Sequence, residues 1–166
     1  MHCDVTGKLA WSQPGALAKD SRKVVRQHVA QELSTIHDHK PLDDAEQTFL
    51  HLVDSPDRSV RRSVAADIAR WLNGLDELAR TDLLARWALS ERATVRETVA
   101  LALASGVTYG LGATWTVKFL SNDCHPAVRA AAARAAAARY ENNPSAYQKA
   151  LNRLVLGPEH TLRVVV

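Results

Sequence analysis

The sequence predicts an all-α protein, an α-solenoid of about five stacked helical hairpins with incomplete terminal ones, and three observations predict it. A Val-Arg or Leu-Arg pair recurs at Val25-Arg26, Val60-Arg61, Val95-Arg96, Val128-Arg129 and Leu162-Arg163, which spaces the arginines by 35, 35, 33 and 34 residues. Each pair opens a run with apolar residues every three or four positions, as in Ser59 to Trp71, SVRRSVAADIARW. Helix stops and starts recur between the runs. A period of roughly 20–50 residues holding two helical runs is the trace that a helix-pair repeat leaves in a sequence.

A chain of 166 residues is long enough to bury a core without staples and short enough to be read as one domain, 1–166, that stands alone or within a longer solenoid. Cys3 and Cys124 lie far apart, with neither disulfide nor zinc spacing, which points to a reducing, cytoplasmic compartment. The opening MHCDVTGKLAW lacks the basic-then-apolar order of a signal peptide, and no apolar run approaches the roughly 20 residues of a membrane span. The formal charge is +3. Residues 1–60 hold seven Lys/Arg against nine Asp/Glu, and 121–166 hold six against three. The basic excess therefore lies toward the C-terminal end and is too weak to imply nucleic acid.

Pro14-Gly15 falls where the first helix of the first hairpin would lie, and that dipeptide reads as punctuation. From Asp20, read as an N-cap, DSRKVVRQHVAQEL sets Val25, Val29 and Leu33 on one stripe. Residues 42–53 form the first helix of the second hairpin, with Asp43, Asp44 and Glu46 in its first turn, where the helix dipole favours them. Ser55-Pro56-Asp57 then reads as an N-cap followed by proline at the first helical position, and Asn73-Gly74 as the stop. Val60, Val64 and Ile68 are its core stripe. The third hairpin has helices over about Glu77 to Leu89 and from near Thr94, where Thr94 and Glu97 have capping-box spacing; Val95, Val99 and Leu103 repeat the stripe. Gly106 to Gly112, GVTYGLG, is the most glycine-rich linker. A short helix over Ala113 to Leu120 follows, then one opened by Pro126 that contains AAAARAAAAR, where alanine favours both helix and close packing. Ser145 to Leu156 is the first helix of a fifth hairpin, whose second helix stops at TLRVVV.

Few residues invite chemistry. His37-Asp38-His39 supplies two metal ligands at most, and Cys124 beside His125 has no third catalytic partner. There is no glycine-rich phosphate loop, no paired carboxylates and no nucleophile with a base. The expectation is no enzyme, no cofactor and no metal.

The patterns D-x-P-x-x-x-V-R-R-x-x-A at Asp54 to Ala65 and D-x-x-P-x-V-R-x-x-A at Asp123 to Ala132 resemble HEAT repeats, and the resemblance covers about Asp20 to Arg163. It implies that Asp20, Asp54, Asp123 and the five arginines form a structural ladder, broken at Ser90 and Gly157, where the Asp is missing. A semi-buried arginine needs a fixed acceptor whatever the family. A narrower stretch, 54–106, resembles the DNA alkylation repeat proteins, HEAT-like DNA glycosylases. That resemblance implies duplex held by Trp71, Trp87, Trp115 and Tyr109 and by Arg62, Arg70, Arg134 and Arg139.

The function expected first is a non-catalytic scaffold that binds a protein along the second helices, one and five residues after each Val-Arg arginine. That row comprises Gln27, Gln31, Arg62, Ala66, Glu97, Leu101, Ala130 and Arg134, with Arg70 beside it. Its mixed charge suits a polypeptide better than a polyanion; DNA binding of the alkylation-repeat type is the alternative. The apolar end, with Leu151, Leu154, Val155 and Val164 to Val166, is expected to meet a partner chain, a second copy or a continuation of the solenoid.

Overall fold

The structure, a computed structural model, describes residues 14–32, 35, 42–108 and 110–140. Leu33, the His37-Asp38-His39 loop, Tyr109, the fifth hairpin and the Val164 to Val166 tail lie outside the described residues. All regular structure among the described residues is α-helical: α1 Pro14–Ala18, α2 Lys23–Gln31, α3 Leu42–Leu52, α4 Arg58–Gly74, α5 Glu77–Ala88, α6 Ala93–Ala104, α7 Leu111–Leu120 and α8 Pro126–Tyr140. The chain divides into two compact units at Trp71/Leu72, within α4.

In the first unit α1, α2 and α3 pack on one another. Pro14 and Gly15 are the first residues of α1, so the dipeptide is itself helical. Proline is tolerated at a first helical position because the N–H it lacks would have had no partner there. Val29, Phe49, Leu52, Val60, Val64 and Ile68 are fully buried, whereas Val25, expected in the same stripe, is only half-buried.

In the second unit α5 packs against α7 and α6 lies along α8, so first helix meets first helix and second meets second. Val95, Val99 and Leu103 of α6 are buried with Val128, Ala131, Ala132 and Ala135 of α8. The alanines of α8 let the two helices approach without filling the gap with side chain. Gly112 closes α7 onto α5, since a Cβ there would lie 2.7 Å from Thr81 Cγ2. The linker before α7 is held by Asn73, whose Nδ2 donates to the Gly106 carbonyl at 2.9 Å and whose Oδ1 accepts from the Thr108 N–H at 2.5 Å. Gly106 itself has φ +110°, a conformation that a side chain would strain.

Four turns share one arrangement. Six residues before each Val-Arg arginine stands Asp20, Ser55, Ser90 or Asp123, whose side-chain oxygen accepts the N–H two residues on, from Arg22, Asp57, Arg92 and His125 at 2.8, 3.4, 3.3 and 2.8 Å. The arginine Nη1 then donates to the carbonyls of that residue and the next. Arg26 reaches Asp20 and Ser21 at 2.6 and 2.8 Å, and Arg61 reaches Ser55 and Pro56 at 2.6 and 3.1 Å. Arg96 reaches Ser90 and Glu91 at 2.7 and 3.0 Å, and Arg129 reaches Asp123 and Cys124 at 2.7 and 2.9 Å. A carbonyl in a turn has no helical partner, and a guanidinium satisfies two at once. The helices start after these turns. Asp20 lies two residues upstream of the N-cap of α2, Arg22, while α6 begins at Ala93 with Arg92 as N-cap, so Thr94 and Glu97 do not form a capping box.

Candidate partner-binding surfaces

Two of these arginines also reach the next turn along the chain. Arg26 Nη2 pairs with Asp57 and its Nε donates to Ser55 Oγ at 3.2 Å; Arg96 grips Asp123, Nε to Oδ2 at 2.6 Å and Nη2 to Oδ1 at 3.0 Å. The repeat-two carboxylate is therefore Asp57, not Asp54. Asp54 lies seven residues before Arg61 and is exposed, one place out of register with Asp20 and Asp123. Burial works against the charge of Asp123, yet the Arg96 guanidinium and the His125 N–H together hold its carboxyl below the usual carboxylate range. The same pair raises Arg96 above the ordinary arginine value. Asp20 is drawn down to about 2 by the Arg22 side chain and N–H beside it.

The residues expected to bind a partner lie on the second helices α2, α4, α6 and α8. Gln31, Arg62, Ala66, Arg70, Ala130 and Arg134 are exposed, and Gln27, Glu97 and Leu101 half-buried. Within the first unit several are already engaged: Gln27 Nε2 donates to Ser63 Oγ, and Arg70 pairs with the buried Asp67 and donates to the Gln31 carbonyl at 3.3 Å. In the second unit Glu97 on α6 and Arg134 on α8 leave the row with both signs of charge.

The aromatics are divided. Trp71 and Trp87 are 7% and 2% exposed and belong to the core, whereas Trp115 is 43% and Phe119 41% exposed. These two stack at 5.0 Å between ring centroids and 17° between planes. They line a groove of about 610 Å³ with Ala88, Leu89, Lys118, Asn122 and the Arg96–Asp123 pair. The groove was missed in the sequence although a signal was present: Ala113, Thr116, Val117 and Leu120 are buried and already complete the core stripe of α7, so Trp115 and Phe119 are apolar residues off that stripe.

Among the described residues no cluster of three His, Cys, Asp or Glu side chains could hold a metal ion, and no helix is long and apolar enough to cross a membrane. No family model, curated protein or solved structure matches the chain.

Proposed function

We propose that this chain is a cytoplasmic, non-catalytic protein-binding scaffold, a HEAT-like α-solenoid whose second helices carry the contact row. The observation that supports this reading is the row itself. Gln31, Arg62, Ala66, Arg70, Ala130 and Arg134 face solvent with Glu97 half-exposed among them, a sequence of small, neutral and oppositely charged groups. Phosphates along a nucleic-acid backbone would favour one sign throughout, whereas a polypeptide can answer each position separately. The arginines of the Val-Arg pairs do not add to a phosphate-binding surface, because Arg26, Arg61, Arg96 and Arg129 are bound to their turns. Burial of Trp71 and Trp87 likewise removes two of the aromatics that the alkylation-repeat reading would use.

The test pairs two measurements on the 166-residue chain. Host proteins retained by the immobilised chain are compared with those retained by the Arg62→Glu, Arg134→Glu double variant, and binding to arbitrary duplex is titrated with salt. A protein retained by the wild type and lost from a double variant of unchanged melting temperature supports the scaffold. Identical retention by both overturns the contact row, and duplex binding that weakens steeply with salt replaces the scaffold with the DNA reading.

A further inference from the structure

None of the second-helix row residues lines the groove beside α7, and its chemistry is narrower. Leu89 at the end of α5 is 63% exposed, and with Trp115 and Phe119 it leaves a continuous apolar surface in water without serving the core. Stacking the two rings on each other covers one face of each and fixes them, so a ligand meets a rigid wall at small cost in side-chain freedom. An exposed apolar surface rimmed by polar groups marks an interaction site.

The rim states which partner. Among the described residues three charged ones line the groove: Arg96, Asp123 and Lys118. Arg96 and Asp123 answer each other, and the remaining Nη1 of Arg96 is bound to the Ser90 and Glu91 carbonyls. Lys118 is exposed and pairs with no carboxylate among the described residues. It sits three residues after Trp115 and one before Phe119, so its ammonium stands at the edge of the apolar wall. One uncompensated cation beside an apolar trough complements a carboxylate next to aliphatic side chains. A nucleic acid or an anionic membrane draws on several cations at once, and among its described lining residues this groove offers one.

We propose that the groove formed by Leu89, Trp115, Lys118 and Phe119 docks an acidic, leucine-rich peptide segment of a partner protein, with aliphatic side chains against the stacked rings and a carboxylate on Lys118. This goes beyond the second-helix row and does not depend on it.

The experiment uses the 166-residue chain and three fluorescein-labelled peptides in which leucine alternates with glutamate, glutamine or lysine, read by anisotropy. The glutamate peptide binds about ten-fold or more tighter than the lysine peptide, and Lys118→Glu inverts that order. Trp115→Ser and Phe119→Ser each weaken the glutamate peptide about ten-fold, with circular dichroism and melting temperature unchanged. Arg62→Glu with Arg134→Glu leaves it unchanged, which separates this site from the row. Equal affinity for the three peptides, an order that survives Lys118→Glu, or no binding at millimolar peptide overturns the proposal. So does sedimentation as a dimer that Trp115→Ser returns to monomer, since the occupant would then be a second copy.

Discussion

Arg96 holds Asp123 across the space between two successive turns, Nε to Oδ2 at 2.6 Å and Nη2 to Oδ1 at 3.0 Å, with side chains only 11% and 6% exposed. Each partner also serves its own turn, Arg96 through the Ser90 carbonyl and Asp123 through the His125 N–H. Removing either side leaves a nearly buried charge without its counterpart. Arg96→Ala is expected to cost about 3 kcal/mol in urea denaturation, near the lower end for breaking a buried pair because Asp123 keeps a backbone donor.

The same contact sets a pH dependence. The Asp123 carboxyl is lowered in the fold from its ordinary 3.8, so the unfolded chain takes up a proton first as pH falls. Its stabilisation is complete above the ordinary value and is lost as pH drops through the lowered one. Asp20, drawn to about 2, acts with the same sign over 3.8 to about 2. Stability measured against pH should therefore fall below pH 3.8, and Asp123→Asn should flatten the fall without abolishing it. An Asp123→Asn variant with the wild-type slope would mean that Arg96 does not stabilise the charged carboxylate.

Arg61 and Arg62 are adjacent in sequence and opposite in consequence. Arg61 donates to the Ser55 and Pro56 carbonyls, while Arg62 projects into solvent. Arg61→Met is expected to lose about 2 kcal/mol, since charge-assisted bonds to two otherwise idle carbonyls disappear, and Arg62→Met to stay within about 0.5 kcal/mol. Equal effects in chemical denaturation would count against the shared turn arrangement.

Val64 has no exposure and faces the interior from the middle of α4. Val64→Asp would bury an unpaired carboxylate at a cost of several kcal/mol, against a total stability of about 5–15 kcal/mol for a domain. Loss of the cooperative thermal transition is expected. A variant that melts like the wild type would show that the Val60, Val64, Ile68 stripe is not core.

The helices were legible because apolar spacing reports which face is buried. Arg58–Gly74, Glu77–Ala88 and Pro126–Tyr140 run close to where Ser55-Pro56-Asp57, Asn73-Gly74 and Pro126 place their ends. Val60, Val64, Ile68, Val95, Val99 and Leu103 are buried as their register requires. The turns are less legible, because the HEAT-like pattern points to Asp54, whereas the physical constant is a side-chain acceptor six residues before the arginine. Serine fills that role at Ser55 and Ser90 as aspartate does at Asp20 and Asp123. The carboxylate that meets Arg26 then comes from Asp57, a pairing that depends on how successive turns face each other and leaves no local signature. The groove was hidden for another reason. Leu89 and Phe119 meet only when α5 packs on α7, so the sequence shows two separate apolar residues and the fold shows one surface.

The glycines offer a last test of how closely α7 lies on α5. A Cβ at Gly112 would stand 2.5 Å from Thr81 Oγ1 and 2.7 and 2.9 Å from Thr81 Cγ2 and Cβ. Thr81 cannot swing clear of all three, because its Cβ is fixed to the α5 backbone. Gly112→Ala must therefore push the two helices apart, and a loss of about 1–3 kcal/mol is expected. Gly74, the last residue of α4, meets nothing within 4 Å of such a Cβ. Gly74→Ala reduces the freedom of the unfolded chain without a clash and should gain about 0.5 kcal/mol. Thr81→Ser combined with Gly112→Ala removes the Cγ2 contact and should recover part of the loss. Urea midpoints of the three variants decide the matter: a Gly112→Ala protein as stable as the wild type would mean that α7 does not sit this close to Thr81.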